Sequence, residues 1–248
     1  MMKIAILSDI HGNMPALEAV FEDIRLRNIA EIVCIGDLVG KGPEPAEVIE
    51  FVKEHCDVVI RGNWDEFILN ESEHHSIQWQ QSFLSEDNKN YLKQLPFSYE
   101  FMLGDKFIRC VHASPRSAHE RITPFQPLEK QETLFENSDV TMNICGERTP
   151  DYYIYGDIHY ACIKPIDGKG ILVNVGSVGN PLDIPEASYG IIEHVGNSVS
   201  VQLVRVPYDK EAVLQKAKDL GMPNIDVYEA EIMDCIYRGQ PKKEAQAT

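Results

Sequence analysis

Five separated stretches of the sequence place aspartate, histidine or asparagine directly after a short apolar run. Ser8-Asp9-Ile10-His11-Gly12-Asn13 follows Ile4 to Leu7, and Gly36-Asp37 follows Ile32 to Ile35. Arg61-Gly62-Asn63-Trp64-Asp65 follows Val58 to Ile60, His112 follows Phe107 to Val111, and Gly156-Asp157-Ile158-His159 follows Tyr152 to Tyr155. Any one of these is explained by a strand that ends in a polar turn. Five recurrences of carboxylates, imidazoles and an amide are not. Together Asp9, His11, Asp37, Asn63, His112, Asp157 and His159 make a mixed nitrogen and oxygen donor set, suited to manganese, iron, zinc or nickel rather than to an all-oxygen calcium site. Six or seven donors suit two divalent ions better than one.

The apolar runs are the elements that must bring these donors together. Ile4 to Leu7, Ile32 to Ile35 and Val58 to Ile60 read as strands buried on both faces. Leu17, Val20, Phe21 and Ile24 between the first two recur at helical spacing, and Val48, Phe51 and Val52 mark a second helix. Alternating strands and helices predict a parallel sheet with right-handed crossovers, whose strands end in a common ligand crevice. Residues 64–95 read as helical, with Ser85 as an N-cap and Pro96 as a stop. A hairpin is predicted from Phe97 through the Gly104-Asp105 turn to Val111. Residues 113–150 offer one helix near Leu128 to Phe135 and otherwise no pattern. Two more hairpins follow, turning at Asp167 to Gly170 and at Gly196-Asn197, and then helix from Lys210 to Gly239 broken at Gly221-Met222-Pro223. We expect one domain over residues 1–238, parallel in its first half and antiparallel in its second, and a frayed polar tail over 239–248.

Composition narrows the class. The chain has 248 residues, 44% hydrophobic and 25% charged, which is ordinary for a globular protein. Its formal net charge of -16 argues against tight, non-specific binding of nucleic acid, while leaving room for a small phosphate substrate at a metal site that inverts the local field. No apolar run approaches a membrane span, and the N-terminus lacks a secretory core, so a cytoplasmic location is expected. The six cysteines show no C-x-x-C spacing and read as thiols.

The donor stretches resemble the calcineurin-like metallophosphoesterases, whose pattern runs D-x-H, G-D, G-N-H-[DE], a lone H and G-H-x-H. Here it reads Asp9-Ile10-His11, Gly36-Asp37, Gly62-Asn63-Trp64-Asp65, His112 and Gly156-Asp157-Ile158-His159. The stretches Gly36 to Pro43, Asn174 to Pro181 and Val206 to Asp209 resemble a bacterial and archaeal subgroup of small phosphoesterases. The resemblance implies an αββα sandwich of two mixed sheets flanked by helices. It also implies a first metal on Asp9, His11, Asp37 and His159, and a second on Asp37, Asn63, His112 and the residue at position 157, with Asp37 bridging. The implied activity is hydrolysis of phosphate esters by water activated between two divalent ions, with Asp37, Asn63 and His112 at the reacting centre. Asn13 is placed either to hydrogen-bond a phosphate oxygen or simply to form the turn after Gly12. Lys41 either offers its charge to the substrate or is a solvated loop lysine.

Two departures from the family pattern matter, the acid dyad at positions 64 and 40 and the ligand at position 157. Trp64 stands where the family carries the histidine that protonates the leaving group, and an indole N–H is a donor without acid function. Gly40 stands where phosphoprotein phosphatases place the aspartate partner of that histidine. Asp157 replaces the first histidine of G-H-x-H. His119 or the His74-His75 pair would have to fold over the site to replace the acid. The favoured substrates are small phosphodiesters or phosphoanhydrides of the diadenosine polyphosphate type. A serine/threonine-type phosphoprotein phosphatase and a non-catalytic scaffold, as in the family's retromer subunit, are the competing readings.

Overall fold

The computed structural model describes residues 3–196 and 198–237; Asn197 and the expected polar tail lie outside them. Two five-stranded sheets form the centre. The first contains β1 (Lys3–Leu7), β2 (Glu31–Cys34), β3 (Val58–Val59), β9 (Ala187–Val195) and β10 (Ser198–Val206), in the order β10-β9-β1-β2-β3. The second contains β4 (Ser98–Leu103), β5 (Lys106–Val111), β6 (Tyr152–Tyr155), β7 (Cys162–Ile166) and β8 (Gly170–Asn174), in the order β4-β5-β6-β8-β7.

Strand alternation sorts side chains into layers. Ile4 and Ile6 of β1 and Val33 of β2 meet Ile108 and Cys110 of β5, Ile154 of β6 and Val173 of β8 between the sheets. The intervening Ala5, Leu7, Ile32 and Cys34 face outward, against Leu17, Val20 and Ile24 of α1 (Met14–Leu26) and Val48, Ile49 and Val52 of α2 (Pro45–His55). On the far side of the second sheet Tyr153, Tyr155 and Leu172 pack on Leu134 and Phe135, which follow the short helix α6 (Leu128–Glu132) in a 3-10 turn. The result is the expected αββα sandwich of mixed sheets.

Parallel and antiparallel pairing are not divided by halves of the chain. β1-β2-β3 and β5-β6-β8 are parallel cores, one in each sheet, and the hairpins are shared out as edges. The reason lies in β8, which runs parallel to β6 on one side while closing the antiparallel β7 hairpin on the other. The helical stretch expected over 64–95 resolves into α3 (Asn63–Phe67), α4 (His75–Gln81) and α5 (Glu86–Gln94). Ser85 caps α5 as expected, its side chain accepting from the Asn88 N–H. The C-terminal region forms α7 (Lys210–Asp219) and α8 (Ile225–Asp234), packed through Val213, Leu214, Tyr228 and Ile232. Among the described residues no helix is long and apolar enough to cross a membrane.

Candidate metal centre

The donors are delivered by loops that leave the strand ends in an uncommon backbone conformation. Asp9, His11, Asp37, Asp157 and His159 all have positive φ, between 50° and 63°. Non-glycine residues adopt this region at a cost, and such strain concentrates at functional sites. It turns both members of the Asp9/His11 and Asp157/His159 pairs away from ordinary strand continuation. The loops are locked to one another by backbone bonds, from Asp9 N–H to the Gly36 carbonyl (3.0 Å) and from His11 N–H to the Asp37 carbonyl (3.0 Å). The Asn174–Pro181 segment braces them from the other side: Ser177 Oγ donates to the Asp9 carbonyl and Val178 N–H to that of Ser8.

Two overlapping groups of buried donors result, Asp9 with His11 and His159, and Asp9 with Asp37 and His112. Each histidine is fixed through Nδ1 on a backbone carbonyl: His11 on Val39 (2.7 Å), His112 on Ile35 (2.9 Å) and His159 on Asn180 (2.5 Å). A carbonyl only accepts, so each Nδ1 carries a proton, and a ring in its neutral form presents its Nε2 lone pair inward. The Nε2 atoms of His11 and His159 lie 3.1 Å apart, and that of His159 lies 3.1 Å from Asp9 Oδ1. Lone pairs and an anionic oxygen converging like this repel unless a cation sits among them. Asp9 Oδ2 is satisfied by Ser8 Oγ and the Asp157 N–H, while Asp9 Oδ1 is buried with no hydrogen-bond partner. A buried bare carboxylate oxygen beside two imidazole lone pairs fits a divalent metal.

Asp37 joins the groups. Its Oδ2 lies 3.5 Å from His11 Nε2 and its Oδ1 lies 3.4 Å from His112 Nε2. Asn63 Oδ1 stands 3.0 Å from the same His112 nitrogen. The electrostatics of the donor set are conflicted. Burial raises the Asp37 carboxyl above its ordinary value against the pull of His112. Burial likewise opposes ionisation of Asp9, but His159 and the other imidazoles outweigh it and hold Asp9 far below the usual range. His11 is pushed well below an ordinary imidazole by burial and by its neighbours His159 and Lys41.

The sequence of residues 2–197 matches the calcineurin-like phosphoesterase superfamily domain. The chain belongs to that superfamily. It is therefore a phosphoesterase by class, a hydrolase of phosphate esters. Three relatives place it further. It is 30% identical over 234 residues to the uncharacterized protein MJ0912 of Methanocaldococcus jannaschii, covering 89% of this chain and 93% of that one. Phosphodiesterase YfcE of Escherichia coli is 35% identical over 96 residues, 34% of this chain and 52% of YfcE. The crystal structure of a metallophosphoesterase from Sphaerobacter thermophilus shares the fold with a TM-score of 0.74 at 23% identity, over 95% of this chain and 100% of that one.

Seen in this phosphoesterase, the departures from the family pattern have local reasons. A Cβ on Gly40, whose φ is +115°, would stand 2.4 Å from Trp64 ring atoms. Indole and glycine occupy one volume, so the missing acid and its missing partner form a single replacement. Asp65 supports the centre instead, accepting from the N–H groups of Gly62, Asp37 and Leu38. Gly62 itself is confined by function, since a Cβ there would come within 2.1 Å of Asp37 Oδ1.

Asp157, the expected ligand of a second ion, stands beside the centre but outside both donor groups. Arg121 grips both its oxygens, through Nε (2.9 Å) and Nη2 (2.7 Å). Lys41 is buried rather than solvated; its Nζ donates to Asn180 Oδ1 (2.5 Å) and lies 3.4 Å from Glu231. It lines a small cavity over the centre together with Asp37, Trp64, Arg121 and His159. Asn13 is engaged by the fold: it caps α1 by accepting from Ala16 N–H and donates to the Gly179 carbonyl. His119 is exposed and pairs with Glu66 at 2.9 Å, and His74 and His75 are exposed at the start of α4. Sequence reasoning missed Arg121 and Glu231. The first lies in the segment without periodicity, and the second reads as an ordinary polar position of α8.

Proposed function

We propose that this chain is a dinuclear metal-dependent phosphoesterase acting on small phosphodiesters or phosphoanhydrides. The observation that carries the reading is Asp37, whose two oxygens face the Nε2 atoms of His11 and His112, one in each donor group. Asp9 is less suited to bridge, because it meets His11 and His159 through the same oxygen, Oδ1, while its other oxygen is held by Ser8 and the Asp157 N–H. We assign Asp9, His11, Asp37 and His159 to one ion and Asp37, Asn63 and His112 to the other. Asp157 stands outside this set, with both oxygens engaged by Arg121. Bound there, divalent ions such as manganese, iron, zinc or nickel supply an activated water and neutralise charge on the phosphoryl oxygens.

The protein's own groups do the rest. Asp37 fixes the spacing of the two halves of the centre, and the backbone N–H groups held on Asp65 fix Asp37. Lys41 and Arg121 set positive charge on the cavity wall, where a phosphate enters an otherwise acidic surface. That combination admits a small anion and repels a polyanion. YfcE bears the name phosphodiesterase, which supports the diester class. The Trp64–Gly40 replacement weighs against a protein phosphatase, because both members of the acid dyad are absent.

The test pairs metal content of chelator-free protein with hydrolysis of bis(p-nitrophenyl) phosphate and diadenosine polyphosphates. Two equivalents of metal with turnover is the expected result, and Asp37→Asn should lose more activity than Asp9→Asn. Metal-free, inactive protein supports the scaffold reading.

A further inference from the structure

The small cavity over the metal centre, about 90 Å³, has a larger neighbour of about 260 Å³. Both are lined by Arg121, Ile158, Leu182 and Tyr237, so the two form one cleft with a polar inner end and an outer chamber. Phe125, Tyr160 and Tyr237 supply the aromatic wall of the outer chamber, and the Phe125 and Tyr160 rings meet edge to face at 5.2 Å. Phe125 is 75% exposed, so most of its ring stays open beyond the contact with Tyr160.

Its exposure is not that of a loose loop. Gln131, itself buried, donates from its amide to the carbonyls of both Pro124 and Gln126, on either side of Phe125. Lys164 Nζ donates to the Pro124 carbonyl as well (3.1 Å), and Thr123 and Gln126 close a turn between them. The backbone is thus braced so that the ring is held out at the mouth of the cleft. A preorganised aromatic surface takes a flat ring at low entropic cost. Arg121 stands at the junction, fixed by its bidentate grip on Asp157, with a side chain 47% exposed. A guanidinium in that place meets the phosphate end of a ligand whose ring lies further out.

We propose that the outer chamber is a subsite for a planar aromatic ring carried on the substrate phosphate, with Phe125 and Tyr160 as its walls and Arg121 between ring and metal centre. This rests on the phosphoesterase reading and names the substrate class within it: nucleoside or aryl phosphoesters. The chamber lies below the ~300 Å³ typical of the smallest drug-sized pockets, so it holds one ring system.

The test measures binding, which does not depend on turnover. Manganese-loaded protein is titrated calorimetrically with two pairs of probes, AMP against ribose 5-phosphate and phenylphosphonate against methylphosphonate. The ring-bearing member of at least one pair should bind about tenfold tighter, the scale of one base stacked on an aromatic side chain. An advantage confined to AMP identifies a base on a sugar spacer, and one confined to phenylphosphonate identifies an aryl ester. Phe125→Ala and Tyr160→Ala should each shrink that advantage with metal content unchanged, while Arg121→Ala should weaken every probe alike. Equal affinity within both pairs overturns the subsite, as does an advantage that survives both aromatic substitutions. Ring preference without hydrolysis of any ester would instead contradict the phosphoesterase reading and leave the subsite standing.

Discussion

At the scale of single residues, the most consequential replacement is Trp64. When a P–O bond breaks, an alkoxide leaving as an anion needs a proton, whereas an aryl oxide or a nucleotide phosphate does not. Trp64 fills the place of the proton donor, and Gly40, having no side chain, offers no partner to a histidine put there. His119 is occupied by Glu66 on an exposed surface. The rate should therefore depend steeply on leaving-group acidity, with nitrophenyl esters and anhydrides far ahead of alkyl esters. A series of esters of graded leaving-group pKa, with chemistry rate-limiting, checks this; a flat dependence would show that another residue donates the proton. The donors themselves were legible because aspartate and histidine two apart after an apolar run are chemically conspicuous. Arg121 was not, since an arginine in a polar segment carries no spacing to mark it.

At the scale of elements, strands and crossover helices were readable because burial enforces a period, as in Ile4, Ile6 and Val33 facing one core and Ala5, Leu7 and Cys34 the other. Residues 113–150 were unreadable because polar bonds hold them. Arg109, fully buried, pairs with Glu100 at 2.5 Å and donates to the Glu136 carbonyl and Asn137. Such a knot leaves no periodic trace. The loop after His159 is held in a similar way, with Asp183 accepting from Ala161 N–H and from Arg205. Burial opposes ionisation of Asp183, but Arg205 and the backbone donors outweigh it and lower its carboxyl below the ordinary 3.8. A depressed carboxyl stabilises the fold above its ordinary value and loses that contribution as pH falls through the lowered one. Arg205→Ala should cost about 1–3 kcal/mol near neutral pH. Denaturant melts should show the gap between variant and wild type narrowing from neutral pH to acid below 3.8, as the native Asp183 takes up its proton. An equal gap at both pH values would assign the loss to packing of the arginine stem.

At the scale of the whole molecule, two sheets contribute opposite halves of one centre. β1 and β2 of the first sheet lead into Asp9, His11 and Asp37, while β5 and β6 of the second lead into His112 and His159. Metal bound between them ties the sheets together, so its removal should register in global stability. Free metal at about a hundredfold its dissociation constant stabilises by roughly 2.7 kcal/mol per site. For a chain of this size that corresponds to about 5–10 °C in Tm for each site. Chelation should lower Tm by this order and re-addition should restore it, read by scanning calorimetry. An unchanged Tm would mean that the donors hold their geometry without an ion.

We propose that Asp37 joins two ions in this phosphoesterase. Anomalous scattering from crystals grown with manganese tests it directly. The prediction is two peaks flanking the Asp37 carboxylate, one among Asp9, His11 and His159 and the other beside Asn63 and His112. A single peak at the first group, with nothing beside Asn63 and His112 at saturating manganese, would contradict it.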